Sequence, residues 1–248
     1  MHLATRPDLN DAQLQSALAS KIESAVTLLR QIEREFAPAS FANSLGAEDM
    51  VLTDLVARHA RGIEVFILDT GRLHQETYAL LQRVADHYEL RVRVIYPRAA
   101  AVERYASESG INAFYRSVEL RKACCQVRKV EPLSRALSGK RAWITGLRRA
   151  QAVTRRDLPV RELDGAHGIE KFNPLADWSE AEVWAYLHQF QVPYNELHDK
   201  GFPSIGCAPC TRALSPGEDI RAGRWWWEAP EHKECGLHPA KRPQLHSV

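Results

Sequence analysis

The sequence predicts an α/β fold: a mostly parallel, twisted sheet flanked by helices, continued by an irregular C-terminal tail. Three observations carry this reading. Short apolar runs such as Val65-Phe66-Ile67-Leu68 read as strands buried on both faces. Segments with apolar residues at helical spacing alternate with those runs, which is the signature of βαβ units. From about Pro193 the alternation stops, and Pro, Trp, Cys and Arg take over. We divide the 248 residues into an α/β body, 1–192, and a tail of the same structural unit, 193–248.

Element by element, residues 11–36 read as a helix. Leu14, Leu18, Ile22, Val26, Leu29 and Ile32 fall on one face of it. A strand near 40–44, the loop Ser44-Leu45-Gly46-Ala47 and a helix over 48–59 follow. The strand 65–68 ends in Asp69-Thr70-Gly71 and leads to a helix over 74–88 and a strand over 92–96. One helix over 118–137 carries Cys124 and Cys125, and a strand over 142–145 stops at Gly146. Ser179-Glu180-Ala181-Glu182 has the capping-box pattern that starts a helix.

Bulk composition excludes several classes. No apolar stretch is long enough to span a membrane, and residues 1–10 lack the apolar core of a signal peptide. The expectation is a cytoplasmic protein. A net charge of +2 gives no basis for nucleic-acid binding. The arginines cluster at Arg148-Arg149, Arg155-Arg156 and Arg221/Arg224, which suits a small anionic ligand. In a reducing cytosol, five cysteines point to metal binding or catalysis rather than disulfides.

Ligands of open α/β sheets bind outside the carboxyl ends of strands, and three loops fall there. Ser44-Leu45-Gly46-Ala47-Glu48-Asp49 reads as an anion cradle, since Gly46 admits close backbone approach and a helix N-terminus favours negative charge. It lacks a Walker ending, and a plain connection with dipole-matched acids stays open. Leu68-Asp69-Thr70-Gly71-Arg72 reads first as a turn. Gly146-Leu147-Arg148-Arg149, with Arg155-Arg156, offers guanidinium forks that match phosphate or sulfate oxygens.

The cysteines carry the strongest chemistry. Cys124-Cys125 and Cys207-Ala208-Pro209-Cys210 together read as a metal site, against core cysteines or a redox dithiol. Spacing leaves zinc and iron–sulfur equally open. Cys235, in Lys233-Glu234-Cys235-Gly236-Leu237-His238, sits among basic groups that favour a thiolate, or is an incidental surface thiol. Trp225-Trp226-Trp227 reads as packing between tail and body.

As an ordered set, these segments resemble the assimilatory adenylyl-sulfate (APS) reductases of the bacterial iron–sulfur type, relatives of the phosphoadenylyl-sulfate (PAPS) reductases. The resemblance runs from about Phe41 to His238 and includes Arg128-Lys129 and Thr211-Arg212 beside the cysteine pairs. It implies an adenine-nucleotide α-hydrolase-like fold and a [4Fe–4S] cluster on Cys124, Cys125, Cys207 and Cys210. It implies that Cys235 attacks the sulfate sulfur, that AMP leaves, and that thioredoxin or a glutaredoxin-like dithiol then releases sulfite. No thioredoxin-like domain is fused, so the donor is expected to be a separate protein.

Substrate contacts are expected from Ser44, Leu45, Gly46, Glu48 and Asp49, from Leu68, Thr70, Gly71 and Arg72, and from Gly146, Arg148 and Arg155. Lys129 is expected between cluster and sulfate, with Arg221 and Arg224 clamping from the tail. Three rivals are weighed. A PAPS reductase is the nearest, but the family members that prefer PAPS lack the cysteine pairs. An ATP pyrophosphatase of the tRNA-thiolation type would need a Ser-Gly-Gly loop where this chain has Ser44-Leu45-Gly46. A non-enzymatic metal module would not need Cys235. A homo-oligomer is left open.

Overall fold

The computed structural model describes residues 12–152 and 155–229. Helix α1 (Ala12–Glu35) leads to strand β1 (Ala39–Ala42), helix α2 (Ala47–His59) and strand β2 (Glu64–Leu68). Helix α3 (Gln75–Tyr88), strand β3 (Val92–Ile95) and helix α4 (Ala99–Ser109) follow. Helices α5 (Val118–Cys125) and α6 (Glu131–Leu137) precede β4 (Ala142–Ile144), the hairpin β5 (Arg161–Asp164) and β6 (Ile169–Phe172), and α7 (Glu180–Gln189).

The strands form one sheet in the order β3-β2-β1-β4-β6-β5, parallel except for β5 against β6. β1 lies at the switch point: the chain winds outward through β2 and β3 on one side, then crosses to β4 on the other. Such a point opens a crevice at the carboxyl ends of its strands. Phe41 of β1 pairs with Ile144 of β4, so the loops after both strands start at one level and face each other.

Burial explains why these segments became these elements. Val65, Phe66 and Ile67 are covered on both faces, as the apolar run requires. α1 buries Leu18, Leu29 and Ile32 from its predicted stripe, together with Ala25. The Asp54 carboxylate is fully buried and accepts from Tyr88 (3.0 Å), Tyr186 (2.6 Å) and Arg58 (2.9 Å), tying α2, α3 and α7 together. A buried charge persists only when bonded in this way. The capping box of α7 is present: Glu182 N donates to Ser179 Oγ at 3.2 Å, and Ser179 N to Glu182 Oε2 at 2.6 Å.

Three features differ from the sequence reading. The helix expected over 118–137 contains a π-helical turn at Gln126–Val130, just before Pro132, which lacks the N–H that would continue the α-helical bonding. The β5–β6 hairpin went unread because its residues are largely charged, and Arg161, Glu162 and Glu170 among them are not buried. α4 went unread because it buries only Tyr105. Among the described residues no helix is long and apolar enough to cross a membrane.

Candidate active site

The loop after β1 folds back on itself. Leu45 adopts φ +61°, a left-handed conformation costing roughly 1–2 kcal/mol for a residue with a Cβ. Its N–H donates to Asn43 Oδ1 at 2.7 Å, and its side chain is buried. Asp49, in the first turn of α2, returns to accept from Ser44 N (2.7 Å) and Ser44 Oγ (2.5 Å). Burial pushes the Asp49 pKa up to about 6 despite the Ser44 bonds, and the neighbouring Glu48 charge adds to the rise.

Across the switch point, Arg148 is buried and commits its fork to Glu48. Nε and Nη2 reach Glu48 Oε1 at 2.9 and 2.7 Å, and Nη1 donates to Trp178 O at 3.1 Å. Burial alone would raise the Glu48 carboxyl, but the Arg148 charge and hydrogen bonds from Gln151 and Arg148 hold it below its ordinary value. Gly146 is required by contact: a Cβ there would strike Asp49 Oδ1 and come within 3.1 Å of Glu48 Cβ. Arg149 turns to Leu158 O and Asp177, away from the crevice.

These loops bound a cleft of about 1060 Å³. Ser44, Leu45, Gly46, Glu48 and Asp49 line it together with Gly146, Arg148 and Arg155. Leu68 and Thr70 follow from β2, and Arg221 and Arg224 close the cleft from the tail. Gly71 and Arg72 do not line it. Gly71 takes φ +68° in a turn where its N–H bonds Asp69 Oδ1 at 2.8 Å. Arg72 is held by Ile111 O (2.7 Å) and Asn112 Oδ1 (3.2 Å), 5.1 Å over the Phe114 ring. Sequence reasoning missed two further parts of the lining: the Phe66 and Trp143 rings, and the half-buried His198, whose pKa is lowered by desolvation.

Arg72 belongs instead to a second, smaller cavity. Cys124 and Cys125, at the end of α5, meet Cys207 and Cys210 there. A short 3-10 turn carries the second pair, fastened by Ala208 N to Arg72 O at 2.8 Å and by Tyr115 OH to Pro209 O at 2.9 Å. All four are free thiols. Arg72, Arg121, Arg128 and Lys129 surround them. Thr70 Oγ lies 3.3 Å from Cys207 Sγ, and Arg128 Nε is buried without a hydrogen-bond partner. Burial, with Cys207 alongside, pushes the Cys210 thiol up to about 12, and burial raises Cys124. Among the described residues no three His, Cys, Asp or Glu side chains converge as one bare ion requires. Lys129 lines both cavities.

A model of the phosphoadenosine phosphosulfate reductase domain matches residues 38–213, from just before β1 to just past the second cysteine pair. The chain belongs to that family. Within it, the chain is 57% identical over 221 residues to an adenosine 5′-phosphosulfate reductase of Allochromatium vinosum, covering 89% of this chain and 86% of that one. A protein of the same name from Burkholderia cepacia is 56% identical, covering 89% and 88%. Among solved structures, the PAPS reductase of Candida auris superposes with a TM-score of 0.66 at 29% identity, covering 81% of this chain and 96% of that one. An FMN adenylyltransferase of Candida glabrata shares the fold alone, with a TM-score of 0.56 at 16% identity over 89% of this chain and 75% of that one. The family match covers the thiol cavity and the cleft apart from its tail wall at Arg221 and Arg224, whereas Cys235 lies outside it and outside the described residues.

Proposed function

We propose that this chain reduces adenylyl sulfate to sulfite and AMP in cytoplasmic sulfate assimilation, using a separate dithiol protein of the thioredoxin or glutaredoxin kind. The observation that carries the reading is the junction at Lys129. A roomy cleft at the switch point of an α/β sheet meets a cavity of four thiols across one cationic side chain. Family relatives more than 50% identical are adenosine 5′-phosphosulfate reductases.

The thiol cavity fits a [4Fe–4S] cluster on Cys124, Cys125, Cys207 and Cys210. In such a cluster each thiolate binds its own iron, so the ligands need not converge on one point. The four thiolates bring negative charge that Arg72, Arg121, Arg128 and Lys129 offset. Bound there, the cluster would supply a fixed local charge and hold the α5 end against the 207–210 turn.

The chain's own residues perform the transfer. Lys129, with Arg221 and Arg224, neutralises the phosphosulfate so that an anionic thiolate can approach it. The Cys235 thiolate attacks the sulfate sulfur, the bond from sulfur to the phosphate oxygen breaks, and AMP departs with that electron pair. Cys235 then carries a thiosulfonate. A donor thiolate attacks the Cys235 sulfur, sulfite leaves with two electrons, and the donor's second thiol closes its disulfide. Sulfur falls from +6 to +4 while one dithiol is oxidised, so the electrons balance.

The acidic loop favours APS over PAPS. Asp49 already occupies the Ser44 donors, and Glu48 holds the Arg148 fork, so an added phosphate at the switch point would meet carboxylates rather than donors. The test is a single turnover. Mixed with APS and no donor, the protein should release about one AMP per site and gain an SO3 adduct on Cys235. Cys235→Ser should bind APS yet form no adduct, because a hydroxyl is a far weaker nucleophile near neutral pH. Normal sulfite production by that variant, or an adduct elsewhere, would overturn the reading.

A further inference from the structure

The segment Arg224–Glu228 touches both cavities at once. On one side, Glu228 forms a two-point ion pair with Arg121 of α5: Nε to Oε1 at 2.9 Å and Nη2 to Oε2 at 2.8 Å. The side chains are 1% and 3% exposed, so little water screens the pair. Arg121 precedes Cys125 by one helical turn, lines the thiol cavity and donates to the Cys125 thiol. On the other side, Arg224 and Trp225 line the cleft.

The Trp225 ring joins the two sides. It lies between the guanidinium carbons of Arg121 and Arg224, 4.8 Å from each. Trp225 N also donates to Cys210 O at 3.1 Å, and Glu228 N to Trp225 O at 2.8 Å. The residue takes φ +41°, a strained backbone that persists only where surroundings over-determine it. Arg224 rests flat on Gly206, where a Cβ would come within 2.7 Å of its guanidinium carbon, and Nη1 donates to Ser204 Oγ and Ile205 O at 3.3 Å.

We propose that the Arg121–Glu228 pair is a clasp that couples the thiol cavity to the cleft. It orients Cys125 toward its iron, and through Trp225 it sets the position of Arg224. Arg121 and Glu228 are therefore positioning residues: nucleotide affinity depends on the clasp, and so does the lifetime of the cluster. The proposal rests on the reading that the four thiols hold a cluster.

The decisive variant is the double replacement Arg121→Met/Glu228→Leu in the as-purified holoenzyme. Replacing a buried ion pair by apolar groups of similar size generally keeps or raises stability, so the fold survives. AMP affinity, iron and sulfide per chain, and cluster lifetime in air are measured beside the thermal midpoint. AMP binding should weaken about tenfold or more, as loss of a charge-assisted contact does, and the cluster should decay several times faster at an unchanged midpoint. Glu228→Asp, which keeps the charge, should lie between this variant and the wild type. A double variant with wild-type AMP affinity and cluster lifetime would show the pair to be packing only, and would overturn the clasp. Wild-type protein lacking iron and sulfide would instead sink the cluster reading itself.

Discussion

The cleft and the thiol cavity share Lys129 but are assembled on opposite terms. In the cleft, polar groups answer one another: Glu48 with Arg148, Asp49 with Ser44, Asn43 with the Leu45 N–H. These groups are bonded to one another without a ligand, as suits a site that binds and releases a nucleotide on each turnover. In the thiol cavity, four free cysteines crowd among basic groups, and burial raises Cys124 and Cys210. Such a set is costly as it stands and gains from a resident group that takes the thiolates. The first region is preorganised by its own side chains; the second, on the function proposed above, is organised around a cofactor.

The largest effect should therefore come from the cavity. Cys207→Ser or Cys124→Ser should yield colourless protein without iron, and sulfite formation should fall by more than about a hundredfold, since even outer partners of metal ligands cost about 10–100-fold. Iron and sulfide analysis with a sulfite assay checks this. A serine variant that keeps both its iron and its activity would break the contrast. At the junction, Lys129→Ala should keep its iron but lose about ten- to a hundredfold in kcat, the worth of one charge-assisted hydrogen bond. Its KM should change less, because on the function proposed above Lys129, which lines both cavities, meets charge that develops in the transition state. Arg221→Ala and Arg224→Ala should act mainly on KM.

A smaller change belongs to the cleft wall. Gly146→Ala pushes a methyl group into Asp49 and Glu48, so it should destabilise by about 1–3 kcal/mol, the usual cost of overpacking. In a chain of this size that lowers the thermal midpoint by about 2–4 °C per kcal/mol. Its iron content should stay at the wild-type value, because the strain falls on the cleft alone.

Much of this was legible in the sequence, for physical reasons that differ by element. The strands of the sheet centre announced themselves because burial on both faces demands apolar runs such as Val65–Leu68. The α7 start was legible because a capping box is a local bond pattern written in four residues. The thiol set was legible because few other chemistries use paired cysteines in this way. What stayed hidden depends on long-range contact. Arg72 looked like a cleft residue from its loop, yet Ile111 and Asn112 hold it at the thiol cavity. Arg148 looked like an anion fork, but Glu48, from a distant loop, holds it. Glu228 carried no motif at all, since its meaning lies in Arg121.

Asp49 gives the smallest and sharpest test of the self-answering cleft. Its carboxyl sits near 3.8 in an unfolded chain and at about 6 in the folded protein, chiefly because it is buried. Between those values the native state holds a proton that the unfolded state lacks, so stability falls as pH rises through that window and levels off above about 6. From about pH 5 to about pH 7 this one group should remove about 1.4 kcal/mol. Asp49→Asn cannot titrate. Both Ser44 bonds end on Asp49 Oδ2, so the asparagine oxygen can keep them, while its NH2 group faces Gly146 and loses the bond from that backbone N–H, a fixed cost of about 1 kcal/mol at every pH. The stability difference between wild type and variant, from urea unfolding at both pH values, should therefore move in favour of the variant by about 1.4 kcal/mol as pH rises. Other titrating groups are common to both proteins and cancel in that difference. A difference that stays constant with pH would mean that Asp49 is already ionised in the fold at pH 5, and the cleft wall would then carry two buried negative charges at that pH rather than one.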